Sequence, residues 1–329
     1  MENNKYYYKY HPINKYLFDL LINQEFWFSS PKDFNDPYDC NFDLHIENDN
    51  ELFKVIESFE PKLKSKLDSL KKKKDSNPNG FQMVKEGVPK IFKNQYEEDI
   101  GICCFSFNPK SILMWSHYTN NHKGVCLKFD YKQDIEGFRV SSPVEYVEEY
   151  PKIKIKENDL QETFRKVGKY KFIDWEYEKE VRVLKMDGSG KRSFNMACLR
   201  EIIFGVNCSE EDQKTIMLLL CKLGYIHIKY SKAKLDTHNF QVDFHEIDRN
   251  DTIKIEDEVI KRMENYFQQT LEQRTQDKFG IKYAELLNIA LDSVSQIEDL
   301  DKRNKIIKKC YPENEEIIKK VFKDIIDKS

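Results

Sequence analysis

Carboxylates and a guanidinium alternate with other residues in the segment DWEYEKEVRV, residues 174–183. Alternate side chains of a β-strand point to the same face, so a strand here would gather the charged groups on one side. That face would carry Glu176, Glu178, Glu180 and Arg182. The opposite face would carry Trp175, Tyr177, Lys179, Val181 and Val183. Carboxylates about 6.5–7 Å apart on one face repel each other, which raises a pKa in a cleft unless a cation compensates.

Two interpretations of this charged face are open. It is either a strand surface in solvent, or a carboxylate held in a cleft by Arg182 that binds a sugar hydroxyl or stabilises a cationic transition state. In the cleft interpretation, Glu178, Glu180 and Arg182 face the ligand and Glu176 stays in water. The side chains expected to face the core are Trp175, Tyr177, Val181 and Val183. Glu180 is the carboxylate that we expect to meet a ligand.

Aromatic and imidazole side chains are dense in a second segment, MWSHYTNNHKG, residues 114–124. Its ring faces suit stacking against bases or nicotinamide-like rings, and its imidazoles exchange protons near neutral pH. His117 and His122 are five residues apart, which does not bring them to one face of a helix. No carboxylate stands at a metal-ligand spacing, so we expect no metal site. Core packing with satisfied hydrogen bonds is the alternative interpretation.

Turn-forming residues dominate a third segment, FSSPKDFNDPYDC, residues 28–40. Asn35, Asp36 and Asp39 surround Pro37, a composition that favours a rigid Asx-type turn that fixes the geometry of the adjoining strand. The chain lacks G-x-G-x-x-G, Walker A and G-x-S-x-G motifs. The sequence therefore does not indicate a Rossmann dinucleotide-binding protein, a P-loop nucleotide-binding protein or an α/β-hydrolase.

Composition excludes several broad classes of protein. Of 329 residues, 40% are hydrophobic and 13% aromatic, which is enough for a folded core. The formal net charge of −3 does not suggest a general nucleic-acid binder. The basic run Lys71–Lys74 could contact phosphates, and we interpret it as a solvated helix end.

Cysteine usage and apolar runs point to a cytoplasmic protein. The eight cysteines form no C-x-x-C pair, which favours buried free thiols in a reducing compartment over a zinc site. The first residues, MENNKYYYKYHP, contain no apolar segment of the signal-peptide kind, and no run approaches the roughly 18 apolar residues that span a bilayer. We therefore expect no membrane association.

Strand and helix patterns along the chain predict an α+β fold. Residues 6–10 and EFWFSS read as strands on either side of a helix, and GICCFSFNP, GVCLKFD, LREIIFGV, HIKYSKAK and FQVDFHEI read as later strands. Ser209 is a plausible N-cap of a helix that stops at Gly224. We predict an α+β domain over residues 1–250, with a mostly antiparallel sheet, flanking helices and a helical insertion at about 47–100. Residues 251–329 read as an all-helical C-terminal extension.

Three motifs together carry a family resemblance. FSSPxxFNDPxD, MWSHYxxxHxG and WxYExExR stand intact in this order, and the chain resembles the bacterial family known as domain of unknown function 2971, DUF2971, over about residues 6–248. The family name supplies no activity. Its members are suspected of acting in phage defence, so the resemblance implies an abortive-infection effector.

The order of the elements also resembles, more distantly, the ADP-ribosyltransferases, which build a split antiparallel sheet around an NAD cleft. That resemblance gives Glu180, Glu178 and His117 catalytic roles. It implies that NAD, as the substrate, contacts Lys9, Tyr10, Ser29, Ser30, Trp115, Tyr118 and Arg182. The implied activity is ADP-ribosyl transfer or NAD hydrolysis without a metal, because cleavage of the nicotinamide–ribose bond develops a cationic transition state that a fixed carboxylate stabilises.

Two other functions remain open on the sequence. One is a nucleic-acid-acting defence protein, based on the lysine run, Arg182 and exposed aromatic residues. The other is a non-enzymatic sensor or adaptor whose C-terminal helices bind a partner protein. A nucleotide ligand and a macromolecular target are the partners that the enzymatic hypothesis implies.

Overall fold

The computed structural model of the protein describes residues 5–46, 48–59, 69, 71–72, 76–154, 160–225 and 227–247. The chain divides into two units. Among these described residues, the first unit contains those up to Lys9, Phe26–Ser111 and Tyr131–Phe194, and the second contains Tyr10–Glu25, Ile112–Asp130 and those from Asn195 onward. The predicted C-terminal extension, residues 251–329, lies outside the described residues, and the boundary at residue 250 stays a prediction.

Strands and helices alternate irregularly along the described chain. The strands are β1 (Tyr6–His11), β2 (Glu25–Phe28), β3 (Asp43–Leu44), β4 (Gly101–Ser106), β5 (Val125–Asp130), β6 (Ser141–Pro143), β7 (Glu145–Val147), β8 (Lys152–Ile153), β9 (Tyr170–Phe172), β10 (Glu180–Lys185), β11 (Gly190–Ser193), β12 (Leu199–Phe204), β13 (Lys229–Leu235) and β14 (Val242–Glu246). The α-helices are α1 (Lys15–Asn23), α2 (Asp49–Phe59), α3 (Pro78–Asp99), α4 (Ile112–Tyr118), α5 (Leu160–Val167) and α6 (Glu210–Lys222). No helix among the described residues is long and apolar enough to cross a membrane.

The first unit is organised around β10. This strand pairs antiparallel with β4 on one side and with β6 on the other, and β4 pairs antiparallel with β1. Glu180 lies opposite Ser106 and Arg182 lies opposite Cys104, so these side chains share one face of the sheet. Val181 and the other odd-numbered residues of β10 occupy the other face. Two short parallel pairs, β3 with β8 and β7 with β9, complete the frame around the charged residues.

Helices α2, α3 and α5 form one apolar core with the sheet of the first unit. Asn77 caps α3 by accepting a hydrogen bond from the backbone N–H of Gly80, and Pro78 occupies the first turn, where no backbone donor is needed. Phe92 and Tyr96 of α3 are fully buried and pack edge to face on Phe164 of α5. In the described part of the predicted insertion, Asp49–Phe59 and Pro78–Asp99 are helical, and the apolar faces of these helices belong to the core of the unit.

The second unit contains strands β14, β13, β12 and β5 in that order. β12 runs antiparallel to β5 and parallel to β13, and α6 makes the crossover that a parallel connection requires. The Ser209 side chain accepts a hydrogen bond from the backbone N–H of Asp212, as predicted for the N-cap of α6. The predicted α+β class with a mostly antiparallel sheet and flanking helices is confirmed, and β12–β13 is a parallel pair within that sheet.

Only the last four residues of DWEYEKEVRV, 180–183, lie in a strand, so the prediction of a single alternating strand was wrong. Residues Ile173–Glu178 form a 3-10 helix that ends at Lys179, whose φ of 45° lies in the left-handed region. The Lys179 amide donates to the Glu176 carbonyl and closes this turn. Strand alternation begins only at Glu180. Glu178 reaches the same interior as Glu180 because the chain turns at Lys179.

Gly205 offers a test of the packing in the second unit. A Cβ atom at this position would lie 2.1 Å from the carbonyl oxygen of His122, a backbone atom that has little freedom to move. We expect Gly205→Ala to lower the free energy of unfolding by about 1–3 kcal/mol through overpacking. Gly87 in α3 is the control, because no atom lies within 4 Å of its added Cβ. Gly87→Ala should stabilise the helix by about 0.5–1 kcal/mol, and equal effects in urea denaturation would contradict this account.

Candidate functional site

Five charged side chains form a buried cluster in the first unit. They are Asp39, Lys171, Glu178, Glu180 and Arg182, and each has at most 7% of its side chain exposed. Arg182 Nη2 donates to both carboxylate oxygens of Asp39 at 2.8 and 2.7 Å, and its Nε donates to Glu180 Oε1 at 2.9 Å. Lys171 Nζ donates to Glu178 Oε2 at 2.5 Å and to Glu180 Oε2 at 3.0 Å. The interpretation of these carboxylates as a solvent-facing strand surface is therefore wrong.

Ion pairing keeps Glu180 and Lys171 of this cluster charged. Burial raises the pKa of Glu180, and the combined effect of Arg182 and Lys171 outweighs it, lowering that pKa from 4.5 to about 2. Burial likewise lowers the pKa of Lys171, and Glu180 and Glu178 outweigh it, so the Lys171 pKa is raised. Glu180 is thus a carboxylate at neutral pH, as stabilisation of a cation requires. It is not a proton donor at that pH.

Neighbouring backbone and side-chain groups fix the cluster in place. The Ser106 hydroxyl donates to the Glu178 carbonyl at 2.6 Å, and the Glu180 amide donates to the Tyr146 hydroxyl at 2.8 Å. Arg182 Nη1 donates to the Cys40 sulfur at 3.3 Å, and burial raises the pKa of that thiol to about 12. The cysteines that the structure describes are all free, and most are buried, as the sequence predicted. Cys40 is therefore a neutral packing group beside the guanidinium.

A pocket of about 550 Å³ lies beside the cluster in the first unit. Three chain segments line it, within residues 36–41, 147–151 and 170–177. Its aromatic residues are Tyr38, Tyr150, Tyr170, Phe172, Trp175 and Tyr177. Its acidic residues are Asp36, Glu148, Glu149 and Asp174. Lys171 belongs to both pocket and cluster, and its Nζ lies 5.0 Å from the centroid of the Trp175 ring.

The turn around Pro37 connects the pocket with the cluster. The Asp36 carboxylate accepts a hydrogen bond from the Tyr38 amide at 2.8 Å, which is the Asx-type turn that the sequence predicted. Tyr38 then lines the pocket, and the next residue, Asp39, is buried against Arg182. The parallel pairing of β7 with β9 brings a second wall of the pocket, residues 147–151, beside Lys171 and Phe172.

Trp175 and Tyr177 correct the expected orientation of this segment. Both were predicted to face the core with Val181 and Val183, yet both are only partly buried and line the pocket. The 3-10 helix is responsible, because its three-residue turn does not alternate side chains between two faces. Val181 and Val183 are buried, and Glu176 is exposed, as predicted.

The predicted site residues of the first unit do not all meet at one place. The structure brings Glu178, Glu180 and Arg182 together. Lys9 Nζ contacts the Cys104 carbonyl at 3.1 Å and lies 5.1 Å from the Phe105 ring centroid. Because Tyr8 pairs with Ser106, which also pairs with Glu180, the next residue Lys9 points to the opposite face of the sheet.

Two predicted serines take structural positions in the first unit. Ser30 is buried, and its hydroxyl donates to the Glu97 carbonyl at 2.7 Å. Ser29 forms an isolated antiparallel bridge with Ile102. Neither serine lines the pocket. Their backbone and hydroxyl contacts hold the chain before the Pro37 turn.

The remaining predicted residues belong to the second unit. Trp115 of α4 is fully buried and packs edge to face on Tyr10, with ring centroids 5.2 Å apart. His117 is exposed near the end of α4, and Tyr118 ends that helix. The His122 Nε2 atom lies 3.1 Å from the Ser116 hydroxyl. Tyr10 and Trp115 are thus core residues of their unit.

Lys171 is the member of the cluster that sequence reasoning missed. It lies in β9 between Tyr170 and Phe172, where a single lysine between aromatic residues reads as an ordinary strand position. A usable signal was the charge balance of the motif, because Arg182 alone does not neutralise several carboxylates in a buried setting. Asp39 was recognised only as a turn residue, although its carboxylate is the bidentate partner of Arg182.

Comparison with known proteins finds similarity to one protein family. No curated protein and no solved structure matches it significantly, so the likeness to ADP-ribosyltransferases gains no support there. One family model, described as "Protein of unknown function (DUF2971)", matches residues 114–183. The match includes Lys171, Glu178, Glu180 and Arg182. The predicted resemblance of this chain to the DUF2971 family is confirmed over that segment.

Proposed function

We propose that the first unit binds a small planar ligand in its aromatic pocket. The observation that carries this proposal is the concentration of aromatic rings around one opening, with Tyr38 65%, Tyr150 52% and Phe172 43% exposed. Exposed aromatic clusters in a concave site gain free energy when a ligand ring covers them. A volume of about 550 Å³ lies within the range of small-molecule and cofactor sites.

Quenching of tryptophan fluorescence by quinoline, a planar probe, tests this binding. Trp175 lines the pocket, so occupancy should change its emission. We expect saturable quenching in the wild type and its loss in Trp175→Ala. Trp27→Ala is the matched control, because Trp27 is 59% exposed in the same unit and lies outside the pocket. Equal quenching in both variants, or none in the wild type, would refute the proposal.

NAD cleavage is the second candidate function. Its supporting observation is the pair of buried carboxylates, Glu178 and Glu180, which both accept hydrogen bonds from the pocket residue Lys171. The nicotinamide ring of NAD is planar and cationic, which suits an aromatic and acidic pocket. A carboxylate close to the ribose would stabilise the cationic transition state in which the nicotinamide–ribose bond breaks. Glu180 does not line the pocket, so this activity requires Lys171 to move aside during turnover.

Release of nicotinamide from NAD tests the second candidate. We expect wild-type protein to release nicotinamide and Glu180→Gln to lose this activity. Glu176→Gln is the control, because Glu176 is exposed and pairs with Lys179 outside the cluster. Absence of turnover in the wild type, or full activity in Glu180→Gln, would exclude this function. Phage plating on cells that carry the same variants extends the test to the defence role that the resemblance to DUF2971 implies.

A further inference from the structure

We propose that the pocket selects planar organic cations, an inference that rests on the small-ligand function above and specifies its ligand class. The lining residues that the structure describes include four carboxylates, Asp36, Glu148, Glu149 and Asp174, and a single cation, Lys171. A pocket with this composition attracts a positive ring and disfavours phosphate or carboxylate groups inside it, so NAD fits only with its nicotinamide ring inside and its phosphates in solvent.

Three of these carboxylates are available to a ligand. Glu148, Glu149 and Asp174 are exposed, and none forms an ion pair with a residue in the described part of the chain. Asp36 differs, because its carboxylate accepts the Tyr38 amide and holds the turn. These three carboxylates at the rim of the pocket therefore carry negative charge that no ion pair within the described residues neutralises.

Lys171 does not cancel this negative field. Its ammonium group lies 2.5 Å from Glu178, 3.0 Å from Glu180 and 3.6 Å from Asp39. Pocket and cluster together hold seven carboxylates against the two cations Lys171 and Arg182. An incoming cation consequently meets an excess of negative charge on the rim and behind the inner wall.

The aromatic walls of the pocket favour a cation, as the excess of carboxylates does. Ring faces carry negative electrostatic potential and attract ammonium and pyridinium groups within about 6 Å. The protein already uses one wall in this way, because Lys171 Nζ lies 5.0 Å from the Trp175 centroid. Tyr38 and Tyr150, with centroids 6.3 Å apart and planes tilted by 49°, present further exposed faces at the opening. Shape, ring faces and charge thus select the same ligand class.

A pair of probes with one ring system and different charge tests the inference. N-methylquinolinium is cationic, and quinoline is neutral at about pH 8, so binding is measured for both by calorimetry at low salt. We expect the cation to bind at least about tenfold more tightly, with affinity falling as salt rises. The triple variant Glu148→Gln, Glu149→Gln, Asp174→Asn should remove this preference, so that the two probes bind with similar affinity.

The control variant is Glu176→Gln, a neighbouring exposed carboxylate outside the pocket, which should keep the preference. All four positions are exposed, so circular dichroism is expected to show the same fold in each variant. Equal affinity for the two probes would overturn the cation inference and leave the planar-ligand function standing. Failure of both probes to bind would refute the planar-ligand function, and the inference with it.

Discussion

Arg182→Met is expected to lower the free energy of unfolding by about 3–5 kcal/mol, because it removes the cation from two buried carboxylates. The Arg182 side chain is fully buried and donates to Asp39 through two hydrogen bonds and to Glu180 through two more. Methionine fills a similar volume, so the loss reports on charge and hydrogen bonding more than on an empty cavity. Urea denaturation at neutral pH, followed by circular dichroism, measures the change.

Lys179→Met is the matched control for this substitution. Lys179 pairs with Glu176 on the surface, where both side chains are about half exposed. Exposed ion pairs contribute about 0–1 kcal/mol, so the control should be close to wild type. A double-mutant cycle with Asp39→Asn adds a second check, because the two losses should be strongly non-additive. Additive losses, or a small loss in Arg182→Met, would show that the cluster does not stabilise the fold as described.

The charge pairing was partly predictable from local sequence. Glu180 and Arg182 are two residues apart on a strand, so alternation alone placed them together. Alternation failed for Trp175 and Tyr177, because a 3-10 helix replaces the strand before Lys179. That helix ends on a left-handed lysine, and a non-glycine residue with positive φ leaves no clear signal in the sequence.

The pocket could not be predicted because distant segments build it. Tyr38, Tyr150 and Trp175 are separated along the chain by more than twenty residues each, and only the paired strands and the Pro37 turn bring them together. Sequence reasoning instead grouped Glu180 with His117 and Trp115 by analogy with a family. Those residues lie in different units, and Trp115 is a core residue. The residue types in the sequence indicated buried charge pairs and aromatic stacking. Which residues lie together in one site depends on strand pairing and turns between distant segments.

Lys171→Met is expected to change stability and ligand binding in opposite directions. Loss of the ammonium leaves Glu178 without the cation that lies 2.5 Å away, which should lower the free energy of unfolding by about 3 kcal/mol. The same loss removes a positive charge from the pocket wall and frees one face of Trp175. Affinity for N-methylquinolinium should therefore rise by about tenfold in the folded fraction, because repulsion between like charges disappears.

The expected loss of stability and the expected gain in affinity for the cation have opposite signs, so general unfolding of the variant would not explain both. A partly unfolded pocket would bind every probe more weakly, so a larger gain in affinity for the cation than for quinoline points to electrostatics at the wall. Lys179→Met again serves as the control, since it removes the same charge outside the pocket and should alter neither quantity. Weaker binding of N-methylquinolinium in Lys171→Met would mean that the lysine supports the ligand, which would reverse the electrostatic role assigned to it.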